Sequence, residues 1–251
     1  MTEFPAELER MFPTPQDKQA ALAAYSRFVA EIIRLQIDFD RTGKYPVGTE
    51  SEAWEGTYSA DAYMSSTYLP ALLLAWYLWP HQRAELDFFV EKFVPLITKE
   101  GWTHFYEVGV GTGIYSRLAL EGSDARGVAY DIGPASLAFA KRHLATYGLD
   151  ARIAYRLADC RVETPPPLPF LICVELIEHM EDPVALLRTL RKMCSGKALI
   201  ATALNAPNRD HVFLYRTPED VITQLHEAGF EVSDWGEWHA GTASVAAFIC
   251  E

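Results

Sequence analysis

The residues best suited to chemistry lie in the second half of a 251-residue chain. Glu107-Val108-Gly109-Val110-Gly111-Thr112-Gly113 closes a strand-forming run and opens a helical pattern. Glycines at such a turn let the backbone bend tightly, let a ligand come close and leave helix N–H groups free. The spacing is GxGxG, and Ile114 stands where the dinucleotide fingerprint has its third glycine, which counts against NAD or FAD. Glu107, two residues before the first glycine, would repel a pyrophosphate, so a cationic guest suits the turn better. Asp131 ends the next apolar run, where a carboxylate can accept hydrogen bonds from both hydroxyls of a ribose. Asp159, followed by Cys160, ends the run after that, within reach of an adenine amino group. Taken singly, the glycines are an ordinary strand-to-helix turn and each acid a helix N-cap. Together, at the carboxyl ends of three successive parallel strands, they describe one nucleoside pocket.

The elements that position them follow from periodicity. From Thr103 onward short apolar runs alternate with helical patterns, the signature of βαβ units on a parallel sheet. Strands are predicted over His104–Val108, Arg126–Tyr130, Ala151–Arg156, Phe170–Val174 and Ala198–Ala203, with helices over Tyr115–Glu121, Ala135–Tyr147, Pro183–Met193 and Pro218–Ala228. Two last strands, Phe230–Trp238 and Ser244–Cys250, read as an antiparallel hairpin closing the sheet. The first third reads as helical. Apolar residues recur at three and four from Pro15 to Asp40, and Leu69–Trp79 and Ala84–Ile97 form two further helices. Tyr45–Ser66, rich in Gly, Ser, Glu and aromatics without a period, reads as a loop with one short helix near Ala60–Met64.

Composition narrows the function classes. With 49% hydrophobic and 22% charged residues the chain suits a globular protein, and 22 Lys+Arg against 34 Asp+Glu give a net charge of −12. That excess speaks against nucleic acid and anionic membrane as partners and for a small molecule. Cys160, Cys173, Cys194 and Cys250 show neither zinc-ligand spacing nor a disulfide framework, so no metal is expected and a reducing cytoplasm fits. The start lacks a signal-peptide pattern, and the longest apolar run, Tyr68–Trp79, is shorter than the roughly 20 residues a membrane helix needs.

At these motifs the sequence resembles the class I S-adenosylmethionine-dependent methyltransferases, from about Trp102 to Glu251. The resemblance implies an α/β Rossmann-like fold, a seven-stranded, mostly parallel sheet of order 3-2-1-4-5-7-6 with helices on both faces. It places Glu107, Gly109, Gly111, Thr112 and Gly113 beside the methionine portion of S-adenosylmethionine, Asp131 at the ribose, and Asp159 with the Cys160 backbone at the adenine. Leu171 to Pro183 resembles the family's segment after the fourth strand, so Glu175 and His179 stand where cofactor and substrate meet. Residues 1–95 then form a helical cap over residues 96–251, with Tyr58, Tyr63 and Tyr68 as lid contacts; Trp76 and Trp79 suit plain packing. Asn205, Asn208 and His211 lie in a polar loop able to roof the site. The catalytic candidates are thus Glu175, His179, Tyr58, Tyr63 and Asn205. The expected activity is methyl transfer to a small molecule, in specialised metabolism. Two other readings remain open: cyclisation of the cofactor's own aminocarboxypropyl chain with release of methylthioadenosine, as in azetidine-2-carboxylate synthases, and a cofactor-binding regulatory protein without turnover. Oligomeric state has no signal in the sequence.

Overall fold

The computed structural model describes residues 4–251. Two helices open it, α1 (Phe4–Met11) and α2 (Pro15–Thr42). Helix α2 begins at a capping box, in which Thr14 accepts from the Asp17 amide and Asp17 from the Thr14 amide, and ends at Gly43 in the left-handed region (φ 66°). Its buried residues, Ala21, Ala24, Phe28 and Phe39, follow the expected stripe, whereas Ile33 and Ile37 face outward.

The segment expected to be a loop is instead almost wholly helical. Short helices α3 (Glu50–Ala53) and α4 (Asp61–Tyr63) alternate with two π-helical turns, Trp54–Tyr58 and Met64–Tyr68. Thr49 caps the first by accepting from the Glu52 amide. Widened turns break the 3.6 period, so the pattern was unreadable in the sequence. Helices α5 (Leu69–Leu78), α6 (Pro80–Phe88) and α7 (Val94–Lys99) complete the cap, α6 and α7 joined by a third π turn, Phe89–Phe93. No helix among the described residues is long and apolar enough to cross a membrane.

The rest is the expected sheet. Its strands are β1 (His104–Val108), β2 (Arg126–Asp131), β3 (Ile153–Leu157), β4 (Leu168–Val174), β5 (Cys194–Leu204), β6 (Val232–Ala240) and β7 (Ala243–Cys250), in the order 3-2-1-4-5-7-6. β7 alone runs opposite to the other six strands. Helices α8 (Ile114–Glu121), α9 (Pro134–Ala145), α10 (Pro183–Met193) and α11 (Pro218–Glu227) make the crossovers. One apolar core joins cap to sheet: Phe170 on β4 stacks on Phe105 (5.0 Å between centroids) and meets Phe93 of the cap edge-on at 6.0 Å. The parallel strands present their carboxyl ends to the cap across a shared cavity, the edge at which such sheets bind ligands.

Phe170→Ala is expected to lose about 3–5 kcal/mol of stability, since it leaves a void between cap and sheet. Denaturant unfolding measures it; a loss below about 1 kcal/mol would show that the aromatic stack does not join the two layers.

Candidate active site

Cap and sheet edge enclose a cavity of about 560 Å³, within the roughly 300–1,000 Å³ common for small-molecule sites. Its floor is the turn after β1 (Glu107 to Thr112), with Asp131, Asp159, Cys160, Glu175 and His179 from the next strand ends. Trp54, Tyr58, Tyr68 and Trp76 of the cap line it from above. The three glycines all adopt positive φ, 76° at Gly109, 48° at Gly111 and 74° at Gly113. At Gly113 a Cβ would lie 2.9 Å from Ala140, so the third glycine serves close packing of the turn on α9.

Acids crowd this floor. Asp131 Oδ1 accepts from the Gly133 amide (2.7 Å) and Oδ2 from the Gly111 amide (3.3 Å), which ties the second strand to the glycine turn. Its enclosure nevertheless pushes the carboxyl up to about 6. Burial pushes Glu107 to about 8 although the Ser116 hydroxyl donates to it. Glu85, on α6 of the cap, is likewise pushed to about 8 by burial while accepting from Tyr115 Oη at 2.7 Å. Glu175 is raised by burial and by Glu178, Glu85 and Asp210; it sits at φ 50°, an uncommon angle for a side-chain-bearing residue. Its buried Oε1 has no hydrogen-bond partner. Arg161 is already committed, binding Asp159 (2.9 Å) and Glu50 of α3 (2.9 Å), so Asp159 clasps the cap as well as lining the cavity.

A second cluster backs this wall. Asp210, fully buried, accepts from Tyr58 Oη (2.8 Å) and Tyr68 Oη (2.9 Å), and its carbonyl pairs with His179 Nδ1 at 2.8 Å. Burial raises both tyrosines, with Asp210 adding to it. Asp210 is held low despite burial by His179 and His211, and His179 is held high despite burial, chiefly by Asp210 and Glu178. Glu178, His179 and His211 bring potential metal-ligand atoms within 4.8 Å of one another. Both imidazoles already use Nδ1 on carbonyls, those of Asp210 and Ala206, and Glu178 Oε2 accepts from Thr202.

Of the residues singled out from the sequence, the structure brings Glu107, Gly109, Gly111, Thr112, Asp131, Asp159, Cys160, Glu175, His179 and Tyr58 to one cavity, with Asn208 and His211 beside them. Tyr63 lies outside that lining, its half-buried ring under the Arg209 guanidinium at 4.6 Å. Asn205 also lies outside it, donating to the Arg216 carbonyl (2.8 Å) and thereby shaping the loop that presents Asn208. Sequence reasoning passed over Asp210, which stands in the same polar loop as Asn208 and His211, and Arg161, two residues after Asp159. Glu85 and Glu50 carried no signal.

The raised acids set a pH dependence. A carboxyl whose folded pKa exceeds its unfolded value binds more protons when folded, so its contribution is present at low pH and lost as pH rises. Without ligand, the protein is expected to lose melting temperature from about pH 5 to 8 through Asp131, Glu85 and Glu107. In Glu107→Gln that loss should shrink, by thermal melts followed by circular dichroism; an unchanged slope would mean Glu107 does not titrate there.

Comparison with known proteins bears on what this cavity is. A methyltransferase-domain family model matches residues 106–200. The ubiquinone biosynthesis O-methyltransferase of Pseudomonas syringae pv. tomato is 29% identical over 122 residues, 47% of this chain and 52% of that one. Its Pseudomonas putida (strain W619) counterpart is 33% identical over 105 residues, 40% and 44%. The chain thus spans about half the length of the curated relatives it matches. Human N-acetylserotonin methyltransferase, solved with S-adenosylmethionine, superposes with TM-score 0.64 at 16% identity over 91% of this chain and 69% of that one. The [4+2]-cyclase SpnF does so with TM-score 0.60 at 13% identity, over 82% and 97%. At such identities these two likenesses speak to fold. The match runs through the strands that build the cavity floor, on a sheet of the expected order: the chain has the class I S-adenosylmethionine-dependent methyltransferase fold, and residues 106–200 are similar to a methyltransferase domain.

Proposed function

We propose that the cavity binds S-adenosylmethionine, the cofactor of the family, and that the chain transfers its methyl group to a small molecule admitted beneath the cap. One observation carries this reading: the glycine turn and the acids Glu107, Asp131 and Glu175 share one enclosed wall, whose single arginine is committed to Asp159 and Glu50. Such a wall favours a guest that is a cation and a nucleoside at once. Asp131 suits the ribose hydroxyls and the backbone at Cys160 the adenine. Glu175 Oε1, buried and unpartnered, suits the ammonium of the methionine portion. The rings of Trp54, Tyr58 and Tyr68 offer π faces to a sulfonium.

The sulfonium supplies an activated carbon, and sulfur keeps the electron pair when the bond breaks. The chain's own task is alignment and exclusion of water, which closure of the cap over the strand ends performs. His179 is held by its Nδ1, and Asp210 already accepts from two tyrosines, so these groups fix the roof. Glu175 is the acid on the lining with an oxygen left for an incoming proton. The O-methyltransferase relatives support methyl transfer as the first reading.

A second reading draws on that same oxygen. An ammonium held at Glu175 that gives up its proton there becomes an amine beside the sulfonium. Attack by its lone pair on the γ-carbon of the same molecule would close a four-membered imino acid and release methylthioadenosine. This needs no second substrate.

Asp131→Ala is expected to weaken S-adenosylhomocysteine at least about tenfold by calorimetry, since bonds to a charged group are lost; unchanged affinity would remove Asp131 from the site. Mass spectrometry after incubation with S-adenosylmethionine alone separates the two reactions. Methylthioadenosine with an equal amount of cyclic amino acid rejects methyl transfer; S-adenosylhomocysteine formed only with an added acceptor rejects cyclisation; no product with either rejects both and leaves cofactor binding without turnover.

A further inference from the structure

Beneath the glycine turn, on the side away from the cavity, lies a buried polar relay. His143 of α9 and Glu7 of α1 are both fully buried. His143 Nδ1 lies 2.8 Å from the Thr112 carbonyl, inside the turn, and Nε2 lies 3.0 Å from Glu7 Oε1. The ring thus bonds the turn through Nδ1 and is in close polar contact with Glu7 through Nε2. Glu7 Oε2 accepts from Tyr77 Oη of α5 (2.5 Å) and Tyr147 Oη (2.6 Å), and Arg117 of α8 donates to Tyr77 Oη. Burial would raise Glu7, yet His143 and the two phenols hold its carboxyl at about 2. Arg10, one turn on, donates to the Thr146 carbonyl and lies over the Tyr147 ring. No α1 residue lines the cavity, yet α1 is joined by a single imidazole to a peptide that does.

We propose that Glu7 and His143 are positioning residues for the cofactor turn, so that docking of the N-terminal helix sets the shape in which Gly111 and Thr112 meet the cofactor. The proposal rests on the cofactor reading above. A carbonyl anchored from below fixes the peptide that follows it, and Gly113 at φ 74° has no side chain with which to hold that peptide itself. A buried group whose polar neighbour is removed is left without compensation for its lost water, so loss of Glu7 would loosen the ring and, through it, the turn.

The test compares Glu7→Gln, His143→Gln, the double variant and Leu225→Ala, a core truncation on α11. Two readouts are taken: hydrogen exchange of the amides at 110–116, and the calorimetric dissociation constant for S-adenosylhomocysteine. Both relay variants should speed exchange in that segment and weaken binding about tenfold or more, with the double variant no worse than the poorer single one, as coupled partners behave. Leu225→Ala should lower the melting temperature and leave both readouts alone. The proposal is overturned if exchange at 110–116 is unchanged in Glu7→Gln, or if Leu225→Ala reproduces its effects. Should the wild-type protein not bind S-adenosylhomocysteine, the cofactor reading falls, and exchange at 110–116 still decides whether Glu7 holds the turn.

Discussion

Negative charge enclosed without an uncommitted positive charge is the constraint around which this molecule is arranged. Glu107 and Glu175 are drawn from the first strand and the end of the fourth and face the same space, while Arg161 is occupied by Asp159 and Glu50. An isolated ionised carboxylate in such surroundings is costly, and burial raises the pKa of both glutamates. Asp210 and Glu7 show the contrast. Each is as buried, but each has imidazoles and tyrosine hydroxyls around it and stays ionised. The protein therefore keeps two kinds of buried acid: those whose charge imidazoles and phenols support, which hold cap and turn in place, and those on the cavity lining.

The cap is the second half of that arrangement. It shares one apolar core with the sheet, through Phe93, Phe105 and Phe170, and three of its polar fastenings bear on the site. Arg161 joins Glu50 to the strand-end Asp159, Tyr58 and Tyr68 reach Asp210 in the loop after β5, and Glu7 reaches His143 below the turn. Enclosure and charge reinforce each other, since the same closure that excludes water raises the cost of every unpaired acid inside.

How much of this was legible beforehand follows from the range of the interactions. Sheet order, the glycine turn and Asp131 rest on local periodicity and on spacing within a few residues, and a linear reading finds them. Tyr45–Ser66 reads as a loop with one short helix because π turns abolish the helical period that a linear reading depends on. Tyr63 was grouped with Tyr58 on residue type alone; the structure gives Tyr58 to Asp210 and Tyr63 to Arg209, partners far along the chain. Glu7 and His143 are 136 residues apart and each is unremarkable in its own helix. Pairings of this kind exist only after folding.

Glu107 and Glu175, whose pKa values burial raises, are the cavity acids expected to give up protons to a cationic cofactor. Calorimetric titration with S-adenosylmethionine at pH 7, in two buffers of different ionisation enthalpy, measures the protons exchanged on binding. Net proton release, reduced in Glu107→Gln and Glu175→Gln, is the expected result. Binding with no net proton exchange, or with uptake, would contradict it.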